Sequence, residues 1–306
     1  MGFVGEFHRF AAVIAAHLGE IAALAAAGLW AVSARLFRHS GHRLPPLPLN
    51  LCKNALALVL LALTAPLSGA SRGHLDPEPL ILLTISGMIG IGIGDSAFFA
   101  ALNRIGERRC LLLVETLAPI FTTGIAYLWL QERLSPPVML AIGLVLAGIF
   151  WAWSDDARPA TPGGGGWIFA LSAALCQAIG TVLSRQALTA SDVPVLWSTM
   201  VRLGGGLSLI ALILLGRRQT FQVSRETFSS PLFGKIALAT LLGTYLGIFL
   251  QQLALKHADA GIVQTLLASS SVLVIPLAVL SGERVGLRAW GGALLAFAGI
   301  FLLFRN

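Results

Sequence analysis

The amino-acid sequence predicts an all-α integral membrane protein whose ten transmembrane helices form two inverted five-helix repeats. Three observations carry that expectation. Of 306 residues, 56% are apolar and 11% charged, with a mean hydropathy of +0.82, too little polar surface to cover a water-soluble globule. Ten segments approach the ~20 apolar residues that a spanning helix needs. A long unit also recurs, because the plan of 94–133, from Gly94-Asp95 to Glu132-Arg133, returns at 247–284.

In chain order, residues 1–17 form a mildly amphipathic N-terminal segment. The first repeat, 18–153, holds spans at 18–37, 48–67, 79–102, 110–130 and 138–153. Trp30 sits among alanines in the first of these, Gly87, Gly90, Gly92 and Gly94 punctuate the third, and Pro119 lies inside the fourth. Residues 154–166 read SDDARPATPGGGG, acidic, broken by proline and ending in four glycines, which is a flexible linker. The second repeat, 167–306, holds spans at 167–184, 193–215, 233–255, 260–280 and 289–304. Five is odd, so the second half enters the membrane from the opposite face. Inverted repeats are a recurring plan of transporters, with the substrate site between the halves near the midplane.

The copies match in detail. Ala101-Leu102 corresponds to Ala254-Leu255, Glu132-Arg133 to Glu283-Arg284, and Ala147-Gly148-Ile149-Phe150 to Ala298-Gly299-Ile300-Phe301. The glycines of the third, seventh and eighth spans fit small-residue faces that let helices approach in lipid. They lack the preceding strand of a nucleotide-binding loop. Trp151, Trp153 and Trp167 stand at span ends as interface anchors.

Several classes are excluded. The net charge of +7 is spread over loops without a basic, aromatic-studded patch, so no nucleic-acid partner is expected. Cys52, Cys110 and Cys176 are too few and too scattered for a disulfide framework or a metal site. The start reads neither as a cleavable signal nor as a myristoylation site. No Walker motif, nucleophile elbow or His-rich cluster is present, so neither ATP-driven pumping nor intramembrane catalysis is expected, and no cofactor. Counting loop charges, Lys53 among them, puts fourteen cations on one face and six on the face holding both termini. The positive-inside rule then places the termini outside the cytoplasm.

The duplicated closing motif, the five-plus-five plan and Trp30 make the chain resemble the EamA-like branch of the drug/metabolite transporter superfamily, across roughly 20–304. The most specific pieces are Ala118-Pro119-Ile120-Phe121 leading to Leu130-Gln131-Glu132-Arg133, and Ser281-Gly282-Glu283-Arg284. Departures are Ser270 at the position of Pro119, and Gln131 and Ser281 within the usual Leu-Gly-Glu. The resemblance implies secondary transport of small metabolites such as amino acids or their derivatives, directed outward, in the bacterial inner (plasma) membrane. It also implies cytoplasmic termini, against the charge count. A facilitative exchanger, a lipid-linked flippase and a non-transporting scaffold are the alternatives.

A charge at mid-bilayer costs roughly 2.5–3.5 kcal/mol on insertion scales, so each deep ionisable group needs a reason. Three are expected to be deep: Asp95, Glu115 and Arg202. Asp95 and Glu115 lie at similar depth on consecutive helices and could be neighbours sharing a proton, which makes proton coupling one reading. Arg202 either pairs with one acid to lock two helices, or exchanges that acid for an anionic group of the substrate. Trp30, Phe98, Gln177 and Gln251 are the candidate cavity wall. Pro119, Glu132, Arg133, Glu283 and Arg284 are assigned to structure, the acids fixing tight turns beside their neighbouring arginines.

Overall fold

Proline starts helices here because the amide it lacks would be unpaired in a first turn anyway. Pro46, Pro77 and Pro136 each open one. The computed structural model describes residues 15–40, 46–67, 76–154, 165–216, 231–282 and 285–305. In chain order the helices are α1 (Leu18–Ser40), α2 (Pro46–Thr64), α3 (Pro77–Ile105), α4 (Glu107–Trp129) and α5 (Pro136–Trp153). The second five are α6 (Gly166–Thr189), α7 (Val195–Gly216), α8 (Phe233–His257), α9 (Ala260–Leu280) and α10 (Leu287–Arg305). All ten are long and apolar enough to cross a bilayer. Their outer faces expose Leu63, Leu128, Leu212, Leu294 and Phe301, which only lipid can solvate well. The protein is an integral membrane protein.

The halves interleave. α1 leaves its own repeat to pack on α8 and α9, and α6 packs on α3 and α4. α7 lies against α3 and α2 against α8, while α5 and α10 pair with each other at the periphery. Exchanging the two repeats leaves this pattern unchanged, as a pseudo-two-fold axis requires. The α5–α10 seam depends on small residues: a Cβ on Gly148 would fall 2.5 Å from the Ala296 nitrogen, and one on Gly299 would fall 2.7 Å from the Ala141 oxygen. In lipid such close approach supplies the packing that a hydrophobic effect cannot. Gly87 does the same for α3 and α7, since a Cβ there would strike the Arg202 carbonyl.

α3 and α8 share an interruption that the residue pattern does not announce. Met88–Gly94 and Thr240–Leu246 are π-helical, and each leads into an eleven-residue α-helical stretch. Their glycine content differs: MIGIGIG in the first, TLLGTYL in the second. Such wide turns loosen the i→i−4 ladder and recur at functional sites.

Several charges counted with the loops are inside helices, most of them near an end, and two of these matter for the site. Lys53 is in α2, and Arg185 is in α6, which runs to Thr189 rather than ending at 184. Neither counts as a loop charge in the orientation argument. Glu283 and Arg284 lie outside the described residues, as do 155–164 of the linker and 1–14 of the N-terminal segment.

Candidate functional site

The π-helical stretches face each other across a central cavity of about 230 Å³, lined by residues from both repeats. Below the roughly 300–1,000 Å³ of drug-sized pockets, it suits a small metabolite. Eight helices contribute; no lining residue comes from α5 or α10. The structure gathers all seven residues expected at the wall: Trp30, Asp95, Phe98, Glu115, Gln177, Arg202 and Gln251. It adds Lys53, Thr181, Thr244 and Gln264, which the sequence reading did not single out.

Trp30 reaches from α1 into the other repeat. Its Nε1 donates to the Gly243 carbonyl at 2.8 Å, an acceptor inside the π-helical stretch of α8. Gly247 makes room for the ring, since a Cβ there would collide with the indole nitrogen, and Gly243 makes room for the Ser33 side chain. One turn on, Ser33 Oγ donates to the Ala239 carbonyl at 2.8 Å. Across the pseudo-axis, Gln177 takes the place of Trp30. Its neighbour Thr181 donates to Gln264 Oε1 at 2.9 Å, joining α6 to α9.

The ionisable groups pair differently from expectation. Asp95 and Glu115 line the same cavity without a hydrogen bond between them, and Asp95 instead accepts from Lys53 Nζ at 3.2 Å. Glu115 is half-buried and makes no hydrogen bond or ion pair among the described residues. Arg202, only 4% exposed, has no carboxylate partner among them either. Its Nη1 donates to Gln251 Oε1 at 3.0 Å and Gln252 Oε1 at 3.2 Å. Gln252 in turn donates from Nε2 to Ser198 Oγ at 3.4 Å. The expected lock between Arg202 and an acid is therefore replaced by neutral amides, because Gln251-Gln252 of α8 face α7 where an acid would be needed.

Glu132 also departs from expectation. Arg133 is exposed and pairs with nothing among the described residues. Glu132 instead accepts from Arg185 Nε at 2.8 Å and, through Oε2, from the Ala260 backbone N–H at 2.9 Å. That amide is one of the unpaired donors at the start of α9, where a carboxylate is doubly favourable. Arg185 completes the cluster by donating to the Leu255 carbonyl at 2.7 Å and to Asp259 at 3.3 Å. The turn after α4 is thus tied to the other repeat rather than to itself. Pro119 stands inside α4, and the second copy carries Pro276 in α9, six residues past Ser270.

Two five-helix units, related by inversion and enclosing a polar cavity, match a known pattern. The family model of the EamA-like transporter family matches residues 17–154 and again 164–305. The chain belongs to the EamA-like transporter family. As a member it is a membrane transporter of the drug/metabolite type. Among solved structures it is similar to one described only as "Crystal structure of protein", at 20% identity and a TM-score of 0.74, covering 93% of this chain and 95% of the other. At that identity the likeness speaks for the fold alone. No curated protein matches the sequence.

Proposed function

We propose that this EamA-like transporter is a secondary carrier that moves small metabolites such as amino acids or their derivatives outward across the bacterial inner (plasma) membrane. It works without ATP, by alternating access. The observation that carries this reading is the central cavity, with Arg202 and Glu115 on its wall and neither in an ion pair among the described residues. A non-transporting scaffold would gain by packing that space with apolar side chains, since buried polar groups without partners are costly.

Alternation requires one mouth of the cavity to close while the other opens. The Glu132–Arg185–Asp259 cluster supports a closed state on the face that holds the α4–α5 and α8–α9 turns, because it ties the repeats together there. Opening that face means separating Glu132 from Arg185 and the α9 N-terminus. Glu115, without a hydrogen bond or ion pair among the described residues, is the carboxyl we expect to carry a coupled proton, with Lys53–Asp95 remaining a neutral pair.

The test is flux in proteoliposomes across a panel of amino acids and organic cations, with and without a pH gradient. Counterflow of at least one amino acid is expected, accelerated by the gradient and lost in Glu115→Gln only for the gradient-driven part. Absence of flux for every compound, with folded protein in the vesicles, would reject transport.

A further inference from the structure

Arg202 is held by one nitrogen and idle at the other two. Nη1 carries both amide contacts. Nε is buried without an acceptor, and Nη2 makes no hydrogen bond among the described residues. Nη2 lies 3.5 Å from where a Cβ on Gly90 would stand, so the missing side chain keeps this edge uncrowded. Nε and Nη2 form one side of the planar guanidinium fork, and their two parallel N–H directions match the two oxygens of a carboxylate.

We infer that this edge is an oxyanion subsite, and that the substrate class is a small carboxylate with a compact apolar body. This rests on the transport reading of the same cavity. The charge inventory supports it. Asp95 is committed to Lys53 at 3.2 Å, and no hydrogen bond or ion pair links Glu115 to Arg202. The Gln251 and Gln252 oxygens orient the guanidinium without discharging it. Asp95 acts on Arg202 only through space while its contact goes to Lys53. With no carboxylate in contact among the described residues, this buried cation keeps part of its burial cost, and an arriving anion is bound where it relieves that cost. Trp30, Ile91, Phe98 and Ile248 supply the apolar side of the same wall. Glu115, unpaired, accommodates an ammonium as well, which places amino acids inside the class rather than defining it.

The test uses the purified full-length protein in detergent, and thermal melting in the presence of carboxylates from acetate to 4-methylpentanoate, and of leucine. Each is compared with its carboxamide, and inorganic phosphate is run beside them. The carboxylates should raise the melting temperature, more so along the series, and the carboxamides should not. Arg202→Lys, which keeps the charge and loses the fork, should bind about 10- to 100-fold more weakly, with little change in melting without ligand. Equal stabilisation by carboxamides, no stabilisation by any carboxylate, or phosphate outranking the whole series each overturns the inference. If Arg202→Lys does not fold, the wild-type ratio of carboxylate to carboxamide binding decides alone. Carboxylate binding without flux removes the transport reading and leaves the subsite standing. Flux of carboxamides with no carboxylate preference does the reverse.

Discussion

Lys53 and Arg202 are the same position met twice. Each stands seven residues past the first residue of its helix, Pro46 in α2 and Val195 in α7, and each faces the cavity. Their surroundings differ in one respect. In the first repeat α3 presents Asp95, which pairs with Lys53 at 3.2 Å. In the second, α8 has Ile248 at the matching place, and Gln251 and Gln252 hold Arg202 through neutral oxygens. The two repeats thus carry one cation each at this position, the first paired with a carboxylate and the second held by amides. On the proposed transport cycle, symmetry between the repeats serves the alternation, while this asymmetry serves a substrate with one anionic end.

The comparison can be broken most severely at the helix contact behind Arg202. Gly87 precedes the first π-helical stretch, and Thr240, its counterpart in the register that matches Asp95 to Ile248, opens the second. Gly87→Ala gives the first repeat a side chain where the second already has one, and its methyl meets the α7 backbone at Arg202. Overpacking of this kind costs about 3 kcal/mol. The variant should accumulate poorly or melt well below wild type in detergent; wild-type melting would mean that α3 and α7 are not held this closely.

Asp95→Asn comes next, since it makes the first repeat resemble the second. Lys53 loses its counter-ion in a partly buried setting, 17% exposed against 25% for Asp95. A loss of about 2 kcal/mol is expected, and Lys53→Met on top of Asp95→Asn should restore part of it. A double variant no more stable than Asp95→Asn alone would argue that the pair is not what holds α2 to α3.

The converse change sharpens the comparison. Gln251→Glu gives Arg202 the carboxylate it lacks, at the 3.0 Å now spanned by an amide oxygen. Stability should hold or rise, while initial transport rates fall about tenfold because the substrate must displace a charged partner. Unchanged transport would place the substrate away from Arg202.

The smallest effect is expected at the turn after α4. Gln131 has φ 57 where Gly282, its counterpart, has φ 81. Left-handed backbone costs a side-chain-bearing residue roughly 1–2 kcal/mol, partly offset by the flexibility glycine brings to the unfolded chain. Gln131→Gly should therefore raise stability by about 0.5–1 kcal/mol, despite losing the Nε2 contact to the Leu128 carbonyl at 3.0 Å. A lower melting temperature would mean that contact matters more than the backbone.

These pairings also mark what the residue pattern could and could not convey. Spans were legible because hydropathy is a local property, and inversion followed from an odd helix count. The wall residues were legible because a polar group inside an apolar helix needs a reason wherever it lies. Partners were not. Glu132 beside Arg133 invites a local pair, yet its cation is Arg185, 53 positions away in the other repeat. Lys53 and Arg185 were hidden by helix ends, since a cation within two turns of an expected terminus reads as a loop charge. The π-helical stretches had no signal either: seven residues with three glycines and seven with one adopt the same geometry, so neighbouring helices, rather than composition, set it.

The interleaving of α1 has a consequence for biogenesis. Among the described helices α1 has the longest wait for its neighbours, because α8 and α9 are made some two hundred residues later. Until then the face carrying Ala22, Ala23, Ala26 and Ala27, all 3% exposed or less in the finished protein, must wait in lipid. Alanine is suited to waiting: it is apolar enough to sit among acyl chains and small enough to be covered later without a rotamer search. Trp30 and Ser33 wait as well, with donors that meet their carbonyls only when α8 arrives. Assembly of this transporter therefore closes its eighth and ninth helices onto its first.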